Sequence, residues 1–254
     1  MAAIPAGPLL LVSPHRDDAI FSCEALVGRE HPLDVLTIFA GEPDPPQQGW
    51  WDRECGFADS RESLAARQAE EEAAFAGTPH RRRYLDLLEI QHVRRRTPAE
   101  RRVIAAPLKG WASENPGGAV AVPAGAGCRQ TRAARLRRWV RRETCSPPQH
   151  VDHVFVRDAV LAALRDTDSR PLLYEEVPYL LGARADREAE RCASSGGWEP
   201  ELIAVEIDRT RKAARIAAYA SQIPHISPRE GRIDDPSVLP AVERYWLLRP
   251  STSA

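Results

Sequence analysis

His15-Arg16-Asp17-Asp18 follows directly on the apolar run Pro8-Leu9-Leu10-Leu11-Val12, and far down the chain stands a second polar cluster, His150-Val151-Asp152-His153. Imidazole nitrogen and carboxylate oxygen are both ligands that Zn²⁺ accepts, so the two clusters together read as a divalent metal site. His15 and an aspartate give two ligands and His153 a third, which leaves one coordination position for water, as catalytic zinc requires. The first cluster falls where a buried strand gives way to a helix, at the carboxyl edge of a sheet, where open α/β sheets place their chemistry. Taken alone, Asp17-Asp18 could simply cap a helix, with the histidines on the surface. Two such clusters in one chain, each abutting a strand or helix, favour the metal.

The elements that must position these residues alternate. Strands are predicted at 8–13, 33–40, 83–87, 119–123, 171–176 and 201–207, with helices near 17–29, 60–76, 98–108, 129–143, 153–165, 184–193 and 209–220. That alternation predicts a Rossmann-like three-layer α/β/α fold with a mainly parallel sheet. The last helix carries Ala213, Ile216, Ala217 and Ala220 on one face and can be capped by Asp208 or Thr210. Segments 41–59 and 222–240, rich in Pro with Gly and Trp in the first, read as irregular.

With 254 residues, 43% hydrophobic and 28% charged, the chain is long enough for one large domain spanning 1–254. Lys+Arg at 35 against Asp+Glu at 36 leaves a net charge of -1, so no overall charge favours nucleic acid or an anionic membrane. The cysteines, 23, 55, 128, 145 and 192, are odd in number and never at CxxC spacing, and read as free thiols in a reducing cytoplasm. The opening residues lack a basic segment, and their apolar run is too short for a signal core or membrane span. A cytoplasmic location is therefore expected. The sequence does not specify an oligomeric state.

Loop 41–59 should overhang the sheet edge that carries His15. Its Trp50 and Trp51 either stack on a sugar ring or acyl chain, or plug the loop to the body. Gly125-Ala126-Gly127 lacks the third glycine of a dinucleotide fingerprint, where Gln130 stands, and reads as a tight turn. The following helix carries Arg129, Arg132, Arg135, Arg137, Arg138, Arg141 and Arg142. It reads first as a solvated face; gripping an anion is the alternative, and segment 124–149 leads into His150 as a possible lid or wall.

Ser13-Pro14-His15-Arg16-Asp17-Asp18-Ala19 through Cys23, then Arg67-Gln68-Ala69-Glu70, then His150-Val151-Asp152-His153, resembles the PIG-L/LmbE-like family of zinc-dependent N-acetylglucosamine deacetylases. Lys212-Ala213-Ala214 through Tyr219-Ala220-Ser221-Gln222 is similar to bacterial members, so the resemblance runs from residue 8 to about 222. It implies that His15, Asp18 and His153 ligate zinc, that Asp17 is the general base, and that His150 stabilises the oxyanion or protonates the leaving amine. Asp152 could orient His150 or His153 from behind. Arg67 and Asp86 match positions that hold sugar hydroxyls, although Arg67 could equally pair with Glu70 along one helix. Ala19 stands where many members have Glu, and Pro148 where some have a tyrosine that assists at the oxyanion.

The resemblance implies a zinc amide hydrolase acting on a small N-acyl amino-sugar glycoside or glycoconjugate, with antibiotic intermediates among the candidates. Two alternatives keep the fold. A metal-dependent hydratase or lyase would use the same ligands, and a binding protein would not need Asp17.

Overall fold

The structure is a computed structural model that describes residues 3–125, 150–179, 189, 191–193, 196–227 and 231–251. The expected arginine-rich helix 129–143, nearly all of segment 124–149, and most of the expected helix 184–193 lie outside the described residues. Among the described residues seven strands form one sheet: β1 (Leu9–Ser13), β2 (Asp34–Thr37), β3 (Arg81–Tyr84), β4 (Ala119–Pro123), β5 (Arg170–Tyr174), β6 (Trp198–Glu206) and β7 (Val242–Pro250), in the order β3-β2-β1-β4-β5-β7-β6. The first five are parallel, and β7 is antiparallel to both β5 and β6.

The apolar run of β1 is buried along its whole length, as a central parallel strand covered on both faces must be. Its alternate residues feed two cores. Leu10 and Val12 face α5 (Pro98–Glu114) and α6 (Val151–Leu164), meeting Leu108, Trp111, Val156 and Val160. Leu9 and Leu11 face α1 (Asp18–Ser22), α2 (Glu24–Val27) and α7 (Arg209–Ile216), meeting Ile20, Leu26 and Ile216. This is the expected three-layer α/β fold. After β1 the chain winds outward through β2 and β3, then returns to place β4 on the other side of β1. Their carboxyl ends diverge there, leaving the crevice in which such sheets bind ligands.

Four elements differ from expectation for identifiable reasons. The helix expected over 17–29 breaks at Cys23, because the Glu243 carboxylate accepts from Glu24 N and Ala25 N and so starts α2 afresh. α5 continues to Glu114 through Pro107, burial of Leu108, Trp111 and Ala112 offsetting the lost backbone bond. Inside 41–59 a short helix, α3 (Trp50–Glu54), forms ahead of α4 (Ser60–Ala74), whose start Asp59 caps by accepting from Arg61 N and Glu62 N. β7 was not expected at all. Its buried Glu243 and adjacent Tyr245-Trp246 spoil the simple polar–apolar alternation. No described helix is long and apolar enough to cross a membrane.

Glu243 also binds the wholly buried Lys212, with Nζ donating to Oε1 at 2.7 Å, and accepts from the Tyr245 hydroxyl. Removing one partner leaves the other charge buried, which typically costs about 3 kcal/mol or more. Lys212→Met is therefore expected to lower unfolding free energy by about 3 kcal/mol in urea titration. A midpoint equal to wild type would show that the pair is dispensable.

Candidate active site

The turn after β1 is stapled by Ser13, whose hydroxyl donates to His15 O at 2.6 Å and accepts from Ala19 N at 3.0 Å. This directs His15, Asp17 and Asp18 into the crevice. Across it, His150 is the N-cap of α6, and His153 lies in that helix's first turn. One open pocket gathers them, with Arg67 and Glu89 beside Asp17 and with Trp50, Trp51 and Tyr179 on its apolar side.

The three expected ligands converge. His15 Nδ1 is 3.2 Å from Asp18 Oδ2, His153 Nε2 is 3.4 Å from the same oxygen, and the two nitrogens are 3.3 Å apart. Ligands about 2.0–2.1 Å from a tetrahedral ion stand about 3.3–3.4 Å from one another, so this triangle fits a zinc-sized cation. Both rings, His15 and His153, are held from behind. His15 Nε2 lies 3.1 Å from Asp152 Oδ2, and His153 Nδ1 lies 2.7 Å from Glu176 Oε1, so buried carboxylates fix the tautomers that present Nδ1 and Nε2 lone pairs to the common point. Burial disfavours charge on both rings. The acids around them outweigh it and raise the His15 and His153 pKa values, while burial is likewise outweighed at Asp18, held well below the carboxylate range by His153 and His15. The site is built to attract positive charge.

His150 is different. Its Nδ1 accepts from Asp152 N at 3.3 Å, so the proton sits on Nε2 and the ring is a donor rather than a ligand. Burial, then the neighbouring His153 and His15, push its pKa down to about 3, keeping it neutral. A cluster of His15, His150 and His153 nitrogens also has metal-binding spacing, but the Asp152 N–H occupies the His150 lone pair that it would need.

Asp17 ends in the pocket, leaving α1 without a side-chain cap. Burial and the neighbouring Asp18 raise its pKa, opposed by Arg67, whose Nη2 is 3.9 Å away. Arg67 is buried and bonds Glu89 through Nη1. It does not pair with Glu70, which accepts instead from Ser221 N and Oγ.

Two expectations need correction. Asp152 supports His15 with its carboxylate, not His150 or His153. Asp86 is not brought to the pocket: β3 ends at Tyr84, and Asp86 bridges Phe39 and packs beside Gly41, while Glu89 three residues on lines the site. The two tryptophans, both lining the pocket, are held differently. Trp51 is pinned, its indole donating to Gln222 Oε1 at 2.8 Å, whereas Trp50 is 57% exposed at the mouth. Glu176 and Tyr179 were missed. The paired acids Glu175-Glu176 directly after the apolar β5 were a readable signal; Tyr179 and Glu89 stand in loops with none.

Trp51→Phe is expected to lower stability by about 1 kcal/mol, leaving Gln222 without its donor, whereas Trp50→Ala should change it by under about 0.5 kcal/mol. Thermal or urea unfolding of the two variants checks this; equal effects would remove the difference.

No family model and no curated protein matches this sequence. Solved structures do. The zinc-inhibited form of teicoplanin deacetylase Orf2 superposes with a TM-score of 0.67 at 20% identity, covering 97% of this chain and 100% of that one. The A40926 pseudoaglycone deacetylase Dbv21 gives 0.69 at 18% identity, with 98% and 100% covered. A deacetylase–teicoplanin complex gives 0.64 at 19%, with 97% and 100% covered. Over nearly its whole length, then, the chain has the fold of these deacetylases.

Proposed function

We propose that this protein is a metal-dependent amide hydrolase that removes an N-acyl group, in the first place acetyl, from an N-acetylglucosaminyl-type glycoside or glycoconjugate. The observation that carries the reading is the triangle of His15 Nδ1, Asp18 Oδ2 and His153 Nε2, with the Asp17 carboxylate and the His150 N–H opening on the same pocket. The fold shared with teicoplanin and A40926 pseudoaglycone deacetylases supports a sugar substrate of secondary metabolism.

His15, Asp18 and His153 would hold the ion, Zn²⁺ by its ligand set. A divalent ion there supplies an acidified water and polarises the amide carbonyl. The protein's own groups do the rest. Asp17 takes a proton from the attacking water, a task suited to a carboxylate whose pKa burial and Asp18 have raised. The neutral His150 donates its Nε2–H to the carbonyl oxygen as negative charge develops there. Asp17 then returns its proton to the departing nitrogen, giving the free amine and the carboxylic acid. Trp50 stacks on a ring face at the mouth, and Arg67 with Glu89 faces the sugar hydroxyls.

Purified protein supplied with Zn²⁺ is expected to release free amine from members of a panel of N-acetylglucosaminyl compounds, p-nitrophenyl N-acetyl-β-D-glucosaminide included. Metal bound without amine release from any would favour the hydratase reading. Asp17→Asn should keep its metal and lose about a hundredfold or more in rate. His15→Ala and His153→Ala should lose metal by elemental analysis, and Glu176→Gln should weaken its affinity about 10- to 100-fold in chelator competition. Wild-type metal content in both histidine variants would exclude the site.

A further inference from the structure

Gln91 lies in the pocket wall with nothing left to offer a ligand. Its Oε1 accepts from Trp51 N at 3.0 Å and Asp52 N at 3.2 Å, and its Nε2 donates to Asp52 Oδ1 at 3.2 Å and Glu89 Oε2 at 2.8 Å. Both acceptor sites and both hydrogens of the amide are thus used. An amide saturated in this way is fixed in orientation, and it fixes its partners in return.

Those partners belong to two different parts of the pocket. Trp51 N and Asp52 N are free donors at the start of α3, the helix that carries Trp50 and Trp51. Glu89 is the carboxylate that holds Arg67, the cation facing Asp17. The approach of the amide to α3 also depends on Gly49, where a Cβ would stand 2.1 Å from Gln91 Oε1. The φ of Gly49 is -71°, open to any residue, so its lack of a side chain is what the contact needs.

We propose that Gln91 is a positioning residue: it fixes the aromatic wall at Trp50–Trp51 relative to the Glu89–Arg67 pair beside the base, and Gly49 is the opening that admits it. Its kinetic consequence rests on the deacetylase reading; its structural consequence does not.

The test uses the ¹⁵N-labelled full chain. The indole N–H resonances of Trp50 and Trp51, assigned by their loss in Trp50→Phe and Trp51→Phe, are expected to shift in Gln91→Leu and again in Gly49→Ala, with those of Trp111 and Trp246 unmoved. General loosening of the fold would move all four. With p-nitrophenyl N-acetyl-β-D-glucosaminide, Trp50→Ala is expected to raise KM about tenfold in the wild-type background and under about twofold in Gln91→Leu, where the wall is already displaced. Unmoved Trp50 and Trp51 resonances in both variants, or an equal KM effect of Trp50→Ala in both backgrounds, would overturn the proposal. A wild-type protein that leaves the probe intact would count against the proposed reaction on that substrate, and the resonance shifts would still decide the role of Gln91.

Discussion

A single buried carboxylate, that of Asp152, joins the parts on which the site depends. Oδ2 accepts from Ile90 N and meets His15 Nε2, Oδ1 accepts from Nε and Nη2 of Arg96, and the residue's own N–H reaches His150. An isolated charge so deeply buried would be prohibitively costly. Burial does oppose ionisation here, but His15 and Arg96 outweigh it and hold the acid well below the usual carboxylate range. The turn after β1, the 88–96 loop and the start of α6 are consequently contingent on one another. Arg96 extends the joint, lying 3.9 Å over the Phe39 ring and donating to Leu88 O and Glu100.

Around that joint, three histidines within one small volume are made chemically distinct by what touches each ring's other nitrogen. A carboxylate behind His15 and another behind His153 take the ring N–H and leave a lone pair for a cation. A backbone N–H behind His150 does the opposite, occupying the lone pair and leaving a donor. The difference follows from α6 beginning at His150: as N-cap, His150 meets the free N–H of Asp152, whereas His153, three residues on, has its backbone inside the helix and its ring turned to Glu176.

The fold was legible because its central strands are short apolar runs bounded by polar turns, and β1 and β4 stand close to where that pattern predicts. The convergence of His15, Asp18 and His153 was legible because they sit at element ends, where sequence position nearly determines spatial position. Legibility failed where contacts cross the chain. Neither Glu243, which restarts a helix 219 residues earlier, nor Glu89, which reaches Arg67 from an irregular loop, carries any local signature. Asp86 failed for a related reason: β3 ends two residues short of it, and a small shift in a strand's end reverses which side chain meets the pocket.

The contact between Glu243 and the start of α2 joins two parts of the chain made at very different times. Synthesis at about 5–20 residues per second brings Glu243 out tens of seconds after Glu24, and until then the helix pair behind the His15–Asp18 turn lacks the carboxylate that divides it. The nascent chain offers His15 and Asp18 early, His153 midway together with the Asp152 and Glu176 carboxylates that back the two rings, and Glu243 last. A growing polypeptide thus carries His15, Asp18 and His153, with the carboxylates behind the two rings, before it carries the β7 acid that starts the helix behind the first turn.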